Sequence, residues 1–530
     1  MSNIYKKGEN KKQQMFFPPS IDEYVSQDNQ VRAIEDYVEI LDMVKLGFTK
    51  SALNSSDGQP AYHPKLLLKI YIYGYLNRIR SSRKLEIEIK RNIEMMWLCA
   101  GLKPSYKTIS DFRKENSKPL KKVFREFVLL CKELDLITGE LIAIDGAFLR
   151  ANASKNQLIM KKTVERDLKK IDEKIEAYLK NMEFVDKEEK KERALKPLPT
   201  NNLPKIVKRK RKLDKDLALL EEMGLTQYNR TDPDAKLMSK PAHNLMAYNV
   251  QIAVDNKYKF IVATDVSSEG GDSKQLHNMG VQSKEITGNE KIIVTADKGY
   301  DSAKEIKKCK DDNIEIIVPI KDNLQTQKVK GKYTRDEFIY NESSDTYSCP
   351  NDKSLLMTGT SYKKEMFFYR YKLKKEICSK CPLRDKCLPE KTPYKELFRW
   401  KHESVIVEHK IKMNTPRAKK IIKQRGAIVE HPFGTIKQTL GWTHFLVRGT
   451  EKVSGENALI MFTYNFRRLI NLIGIALFRK LLISIKDGNI EEIKAEIVAY
   501  ITYFRLYLVY FFRIIFFWDF RSLKYYYRVD

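Results

Sequence analysis

The sequence predicts an α/β protein in which a mixed sheet follows an all-helical N-terminal domain. Two observations carry this. Residues 1–135 repeat apolar side chains at helical spacing, as in "DNQVRAIEDYVEILDMV". From about residue 140, short β-rich runs take over, and the later ones alternate with helical segments.

In the helical part, "HPKLLLKIYIYGYLNRIRSSRKLEIEIKRNIEMMWLCAGL" reads as two helices with a break near "RIRSS". An Asp ahead of the first helix is placed to cap it, and "SYKTISDFRKENSKPLKKVFREFVLLCKEL" adds a long basic helix. The polar faces of these helices carry Arg78, Arg80, Arg83, Lys84, Lys107, Arg113 and Lys114. Such faces on compact helices suit docking in a DNA groove; they also suit a plain bundle with solvated cations.

The strands are expected in "ELIAIDGAFLRANA", "MAYNVQIAVD", "KFIVATDVSS", "KIIVTADKGY" and "IEIIVPIK", with helices in "DSKQLHNMGVQSKEIT" and "YDSAKEIKKCKDDN". The first three strands lack helical spacers of this kind, which predicts an antiparallel start to the sheet. Two insertions interrupt it. One, at about 155–228, reads as a charged helical hairpin carrying the run "KRKRK"; the other, at about 322–412, holds cysteines. The expected domains are therefore 1–135 (helical, DNA-binding), 136–470 (catalytic) and 471–530 (a helical, aromatic tail).

A chain of 530 residues, 42% hydrophobic, has room for two or three cores. The formal net charge of +29 suits a polyanionic partner, nucleic acid above all, although AT-rich coding DNA alone also favours lysine. The opening "MSNIYKKGENKKQQMFFPPS" has no apolar signal segment. "VAYITYFRLYLVYFFRIIFFW" at 498–518 comes close to membrane length, but Arg505 and Arg513 sit inside it. We expect a cytoplasmic protein with no membrane span.

Asp145 lies within the first strand and Asp297 at the carboxyl end of "IIVTADKGY"; Glu430 heads the mostly apolar and basic stretch "IVEHPFGTIKQTLGW". Sites in open α/β sheets form at the carboxyl ends of strands. Three converging carboxylates without histidine are hard oxygen ligands suited to two Mg²⁺ or Mn²⁺ ions. Each acid has an ordinary reading too. An Asp before Gly is a turn residue, and a strand-end Asp caps the next helix. Asp255 and Asp265 occupy similar strand ends, and spacing alone does not choose among them. In the second insertion, Cys349 with "CSKCPLRDKC" (Cys378, Cys381, Cys387) suggests a structural Zn²⁺ site or plain reduced thiols. The remaining three of the seven cysteines are scattered singly, unlike a secreted disulfide framework.

"AIDGAFLRANASKN", "AYNVQIAVD", "TADKGYDS" and "RGAIVEHPFGTIK" resemble the DDE transposases of bacterial insertion sequences. "PKLLLKIYIYGYLNRIRSSRKLE", "TISDFRKEN" and "TDPDAKLM" resemble the group with an all-helical N-terminal domain and a cysteine-bearing insertion, so the likeness spans about residues 15–470. It implies an RNase H-like catalytic domain whose acids fall on Asp145, Asp297 and Glu430, leaving Asp255 and Asp265 structural. The family's Tyr, Arg, Glu, Lys signature is matched at Glu430 and Lys437; Arg425 sits one position upstream of the usual place, and no tyrosine matches. Lys437 and Arg425 are thus expected at DNA phosphates, along with Arg83, Lys84, Lys107 and Arg113. The implied activity is binding of the element's terminal inverted repeats, then metal-dependent cleavage and strand transfer into target DNA, by at least a homodimer in the DNA complex. The alternatives are a nuclease of the same fold without strand transfer and an inactive DNA-binding repressor of transposition.

Overall fold

The computed structural model describes residues 20–48, 60–189, 203–239, 244–321, 331–363 and 365–503. The chain forms two compact units, cut differently from the expected boundaries at 135 and 470. One unit joins residues 1–130 and 151–153 to 435–530; the other holds 131–150 and 154–434.

The first unit is helical. Its helices Gln30–Ile40, Pro64–Leu76, Ser82–Arg91 and Tyr106–Glu115 form where the apolar periodicity placed them, with the break at 77–81. The first is capped by Asn29, whose side chain accepts from the Val31 amide, rather than by an Asp. Helix Pro64–Leu76 starts with proline at its first turn and is buried almost throughout. The long segment Thr450–Lys486 belongs to this unit, with Val453–Phe466 buried and a non-helical Gly474 kinking it. Tyr37, Phe127, Phe462 and Phe466 meet with ring centroids 5.1–5.8 Å apart, so N-terminal and C-terminal segments share one aromatic core. Gly455 makes this approach possible: a methyl there would lie 2.5 Å from Ser117 Cα. Of the aromatic stretch 498–518, only residues up to 503 fall among those described, and no described helix is long and apolar enough to cross a membrane.

The second unit is built on the mixed sheet. Its strands are β1 (Leu141–Arg150), β2 (Leu158–Met160), β3 (Gln227–Asn229), β4 (Lys236–Ser239), β5 (Asn244–Asp255), β6 (Ile261–Ser267), β7 (Ile292–Thr295) and β8 (Ile314–Ile317). The main sheet runs β4-β5-β1-β7-β8, with β6 also on β5. β1, β4 and β6 pair with β5 antiparallel, whereas β1, β7 and β8 are mutually parallel neighbours. The antiparallel start and the later alternation with helices Leu276–Thr287 and Ala303–Asp311 follow the sequence pattern. β2 and β3 form a separate pair at the base of the first insertion. That insertion is an antiparallel hairpin of helices Lys161–Glu189 and Leu203–Glu222, pinned by Lys161–Glu221 at 3.1 Å and Arg209–Asp167 at 3.2 Å. Two cations of the "KRKRK" run, Arg209 and Lys210, are thereby spent on ion pairs within the hairpin.

The second insertion holds a five-stranded antiparallel sheet of β9 (Ile339–Asn341), β10 (Thr346–Ser348), β11 (Ser354–Lys363), β12 (Met366–Lys372) and β13 (Glu396–Trp400). It packs a small core of its own around Tyr347, Leu355, Tyr371 and Leu397. Helix Pro416–Gly434 then packs on the main sheet, with Ala418 and Ile421 against Ile317 and Leu141.

Candidate active site

β1 and β7 are parallel, and Ala143 stands opposite Thr295. Two residues further along each chain are Asp145 and Asp297, so parallel register brings both acids to one level. β7 ends at Thr295, whereas β1 runs on to Arg150. Past that end no strand among the described residues flanks β1 on this edge, and groups from both faces of the sheet can meet. Asp145 is partly buried there. Burial pushes its carboxyl up to about 6, against a lowering by Arg425 and the Gly146 amide; Asp297 and Asp272 add to the rise. Asp297 also caps the short turn Lys298–Tyr300, accepting from the Gly299 amide at 2.6 Å, so the capping reading of this residue is realised.

Glu430 lies on helix Pro416–Gly434, exposed, two residues before a proline inside the helix. Its side chain runs back along the helix, as helical side chains do. A methyl on Gly426 would stand 3.1 Å from Glu430 Oε1. The preceding residue, Arg425, places Nη1 3.8 Å from Asp145 Oδ1, and that nitrogen is buried without a hydrogen bond. One turn of this helix therefore carries both the Glu430 carboxylate and the cation facing Asp145. Arg425 was expected at DNA phosphate; its guanidinium instead faces Asp145.

The competing aspartates are occupied elsewhere. Asp255 is fully buried and accepts from the Gly139 and Lys257 amides, each at 2.9 Å. Asp265 accepts from Asn278 Nδ2 at 2.8 Å and from the Val266 amide.

Asp272 escaped the sequence reading. It heads "DSKQLHNMGVQSKEIT", which reads as a helix from its first residue, whereas the helix begins only at Leu276 and leaves Asp272 in the connection after β6. Its Oδ1 accepts from Asn249 Nδ2 and Gln251 Nε2, both at 2.8 Å. The only sequence signal was a pair of amide residues, Asn249 and Gln251, alternating on one face of an otherwise apolar strand.

Among the cations expected at DNA, Arg83, Lys84 and Lys107 are exposed on the helical unit. Arg113 is not: only 4% exposed, it pairs with the fully buried Glu456 at 3.2 Å and donates to Tyr75 at 3.1 Å. A buried charge keeps its partner, so Arg113 is a core residue and the expectation of DNA contact is corrected. Arg80 is likewise taken, stacking over Trp442 at 4.4 Å and donating to the Gly441 carbonyl. Lys437 is half-buried in the π-helical turn Thr435–Thr439.

Cys349, Cys378, Cys381 and Cys387 line one cavity of about 30 Å³. Among the described residues, no group of three or more His, Cys, Asp or Glu is arranged to hold a metal ion, here or at the aspartates.

Two family models match the chain. Residues 19–115 match a transposase domain (DUF772), and residues 348–470 match a transposase DDE domain. The two matches support an insertion-sequence DDE transposase. The DDE match includes Glu430 and all four clustered cysteines, while Asp145 and Asp297 precede it. No curated protein matches the chain. Among solved structures, the chain is similar to a piggyBac transposase synaptic complex with hairpin DNA. The identity is 10%, over 89% of this chain and 79% of that one, and the TM-score is 0.29.

Proposed function

We propose that the chain binds the terminal inverted repeats of its element and catalyses metal-dependent DNA cleavage and strand transfer. The observation that supports this best is that Asp145 on β1 and Asp297 just past the end of the parallel β7 interact, with the helix segment bearing Glu430 and Arg425 beside Asp145. The six-stranded sheet, in which β5 is antiparallel to β1, β4 and β6 while β7 and β8 continue parallel to β1, is consistent with an RNase H-like domain.

The donor set fits a hard divalent cation. The acids are all oxygen ligands, and Arg425 already supplies positive charge where such an ion would compensate Asp145. Asp145, Asp297 and Glu430 would hold the ions, their side chains drawing in to do so. When bound, two Mg²⁺ or Mn²⁺ ions supply an activated water or 3′-hydroxyl and stabilise the leaving oxygen of a phosphodiester. The chain's own part is to hold three acids at the edge of β1. Arg83, Lys84 and Lys107, with Lys437, would contact the DNA backbone and position it without reading sequence. Two ends must be brought together, so the working form is a homodimer on DNA carrying the element's ends and target. In the second insertion, the four cysteines would bind one structural Zn²⁺; their cavity has room for a single ion.

The test is to incubate purified protein with DNA bearing the element's ends and Mg²⁺, then map the products. We expect cut ends and joined products from the wild type. Asp145→Asn, Asp297→Asn and Glu430→Gln should each bind the ends and lose cleavage by orders of magnitude, while Asp265→Asn stays active. Cleavage without joining would leave a nuclease, binding without cleavage would leave a repressor, and a Glu430→Gln protein cutting at the wild-type rate would remove Glu430 from the site.

A further inference from the structure

The turn that contains Asp272 does not need its side chain. The backbone carbonyl of Asp272 already accepts from the Gln275 amide at 3.0 Å, and Gln275 precedes helix Leu276–Thr287 without any side-chain cap. Yet two amide side chains on β5, both wholly buried, are committed to this one carboxylate. Asn249 Nδ2 and Gln251 Nε2 each donate to Oδ1 at 2.8 Å. Gln251 Nε2 also donates to Asn249 Oδ1 at 3.0 Å, and the buried Tyr300 hydroxyl donates to Gln251 Oε1. Amides left unpaired in the middle of a buried strand are costly, so this network ties the orientation of Asp272 to the core of the sheet.

The network fixes one oxygen and leaves the other facing the acids. A methyl on Gly146, the residue after Asp145, would fall 2.8 Å from Asp272 Oδ1. One on Gly299 would fall 2.7 Å from Asp297 Oδ1 and 3.7 Å from Asp272 Oδ2. Asp272 and Asp297 thus border the same missing side chain, and glycines stand where β1 and the turn after β7 must let the carboxylate in. No hydrogen bond or ion pair from a described residue reaches Oδ2. Strand alternation puts Asp145 and Gly146 on opposite sides of β1. Asp272 therefore enters from the side opposite the helix that carries Arg425 and Glu430, past the end of β7.

We propose that Asp272 is a fourth acid of the cation-binding centre, oriented by Asn249 and Gln251 so that Oδ2 faces the divalent ion beside Asp297. This rests on the metal-dependent reading above and adds one ligand to it.

The experiment uses the full-length protein and Mn²⁺ as the probe. Mn²⁺ affinity is measured by titration for wild type, Asp145→Asn and Asp272→Asn, with thermal unfolding of the metal-free proteins as the check on folding. We expect Asp145→Asn and Asp272→Asn each to weaken Mn²⁺ binding at least tenfold. Should Asp272→Asn unfold, the wild-type protein still decides. With Fe²⁺ in place of Mn²⁺, ascorbate and peroxide should cleave the chain near residue 272 as well as near 145 and 297. Normal Mn²⁺ affinity in a folded Asp272→Asn protein, or cuts at 145 and 297 without one near 272, overturns the proposal and leaves the three-acid reading standing. A wild type that binds no Mn²⁺ overturns both.

Discussion

Arg425 Nη1 lies 3.8 Å from Asp145 Oδ1, a buried nitrogen with no hydrogen bond of its own facing a carboxylate at the edge of the sheet. The guanidinium holds the position of a countercharge. Its removal should leave the acids more attractive to a divalent ion. At pH 8.5, Arg425→Ala should bind Mn²⁺ roughly fivefold more tightly, the factor given by about 1 kcal/mol of charge interaction at 4 Å in high dielectric. The gain should shrink towards pH 6, because Arg425 also lowers the Asp145 carboxyl and its loss favours the proton. A titration at both pH values checks this; unchanged or weaker binding at pH 8.5 would show that Arg425 does not oppose the ion.

Asp145 should also mark stability. Burial raises its folded carboxyl to about 6 from an ordinary 3.8, so ionising it at neutral pH costs the fold about 3 kcal/mol. A raised acid favours the fold below the unfolded value and loses that contribution as pH climbs through 6. Asp145→Asn should therefore be more stable than wild type at pH 8 without metal, by up to about 3 kcal/mol, and the difference should close by pH 4. Urea unfolding across that range is the measurement, and a difference independent of pH would refute the assignment.

Arg113 and Arg83 should separate fold from binding. Arg113→Ala strands the buried Glu456 and should destabilise the helical unit by about 3–5 kcal/mol. The exposed Arg83 packs over the Tyr106 ring, 5.2 Å away. Arg83→Ala should keep the melting temperature and flatten the salt dependence of DNA binding by about one unit of slope. Equal effects of the two substitutions on melting would contradict this division.

The cysteine cavity should hold about one zinc per chain. Replacing Cys378 and Cys381 by serine should release it and loosen the sheet β9–β13, whose core includes Cys378. Metal analysis of protein purified without chelators decides the matter, since zinc at background level would leave four reduced thiols.

Ending the chain at residue 475 should unfold the helical unit. The cut removes Phe478, Leu481 and Leu482, all fully buried, and Arg479, which pairs with Asp36 at 2.6 Å. Retention of the wild-type melting transition in that truncation would show these contacts to be dispensable.

Strands β1 and β5–β8 were legible because each is a β-rich run of the right length with a helix or turn between it and the next; the short β2, β3 and β4 and the sheet β9–β13 within the second insertion were not. Asp145, Asp297 and Glu430 were legible through the motifs around them; their relation in space depends on the register of β1 and β7. Two residues were not. Arg113 looks like any solvated helical cation until Glu456, 343 positions later, supplies its partner. Asp272 looks like the first residue of a helix, and its orientation is set by Asn249 and Gln251 on a strand two elements earlier in the chain. In both cases the missing information was a long-range polar contact, which leaves no periodic trace in the local sequence.

The helical unit is assembled from the two ends of the chain, with residues 154–434 belonging to the other unit. Its aromatic core pairs Tyr37 and Phe127 with Phe462 and Phe466, so it cannot close while the ribosome is still translating the middle of the message. At about 5–20 residues per second, the N-terminal helices wait for roughly half a minute with their apolar faces uncovered. A nonsense mutation anywhere in that interval would therefore release N-terminal helices without the C-terminal half of their core, a fragment destined for aggregation or proteolysis rather than a folded domain.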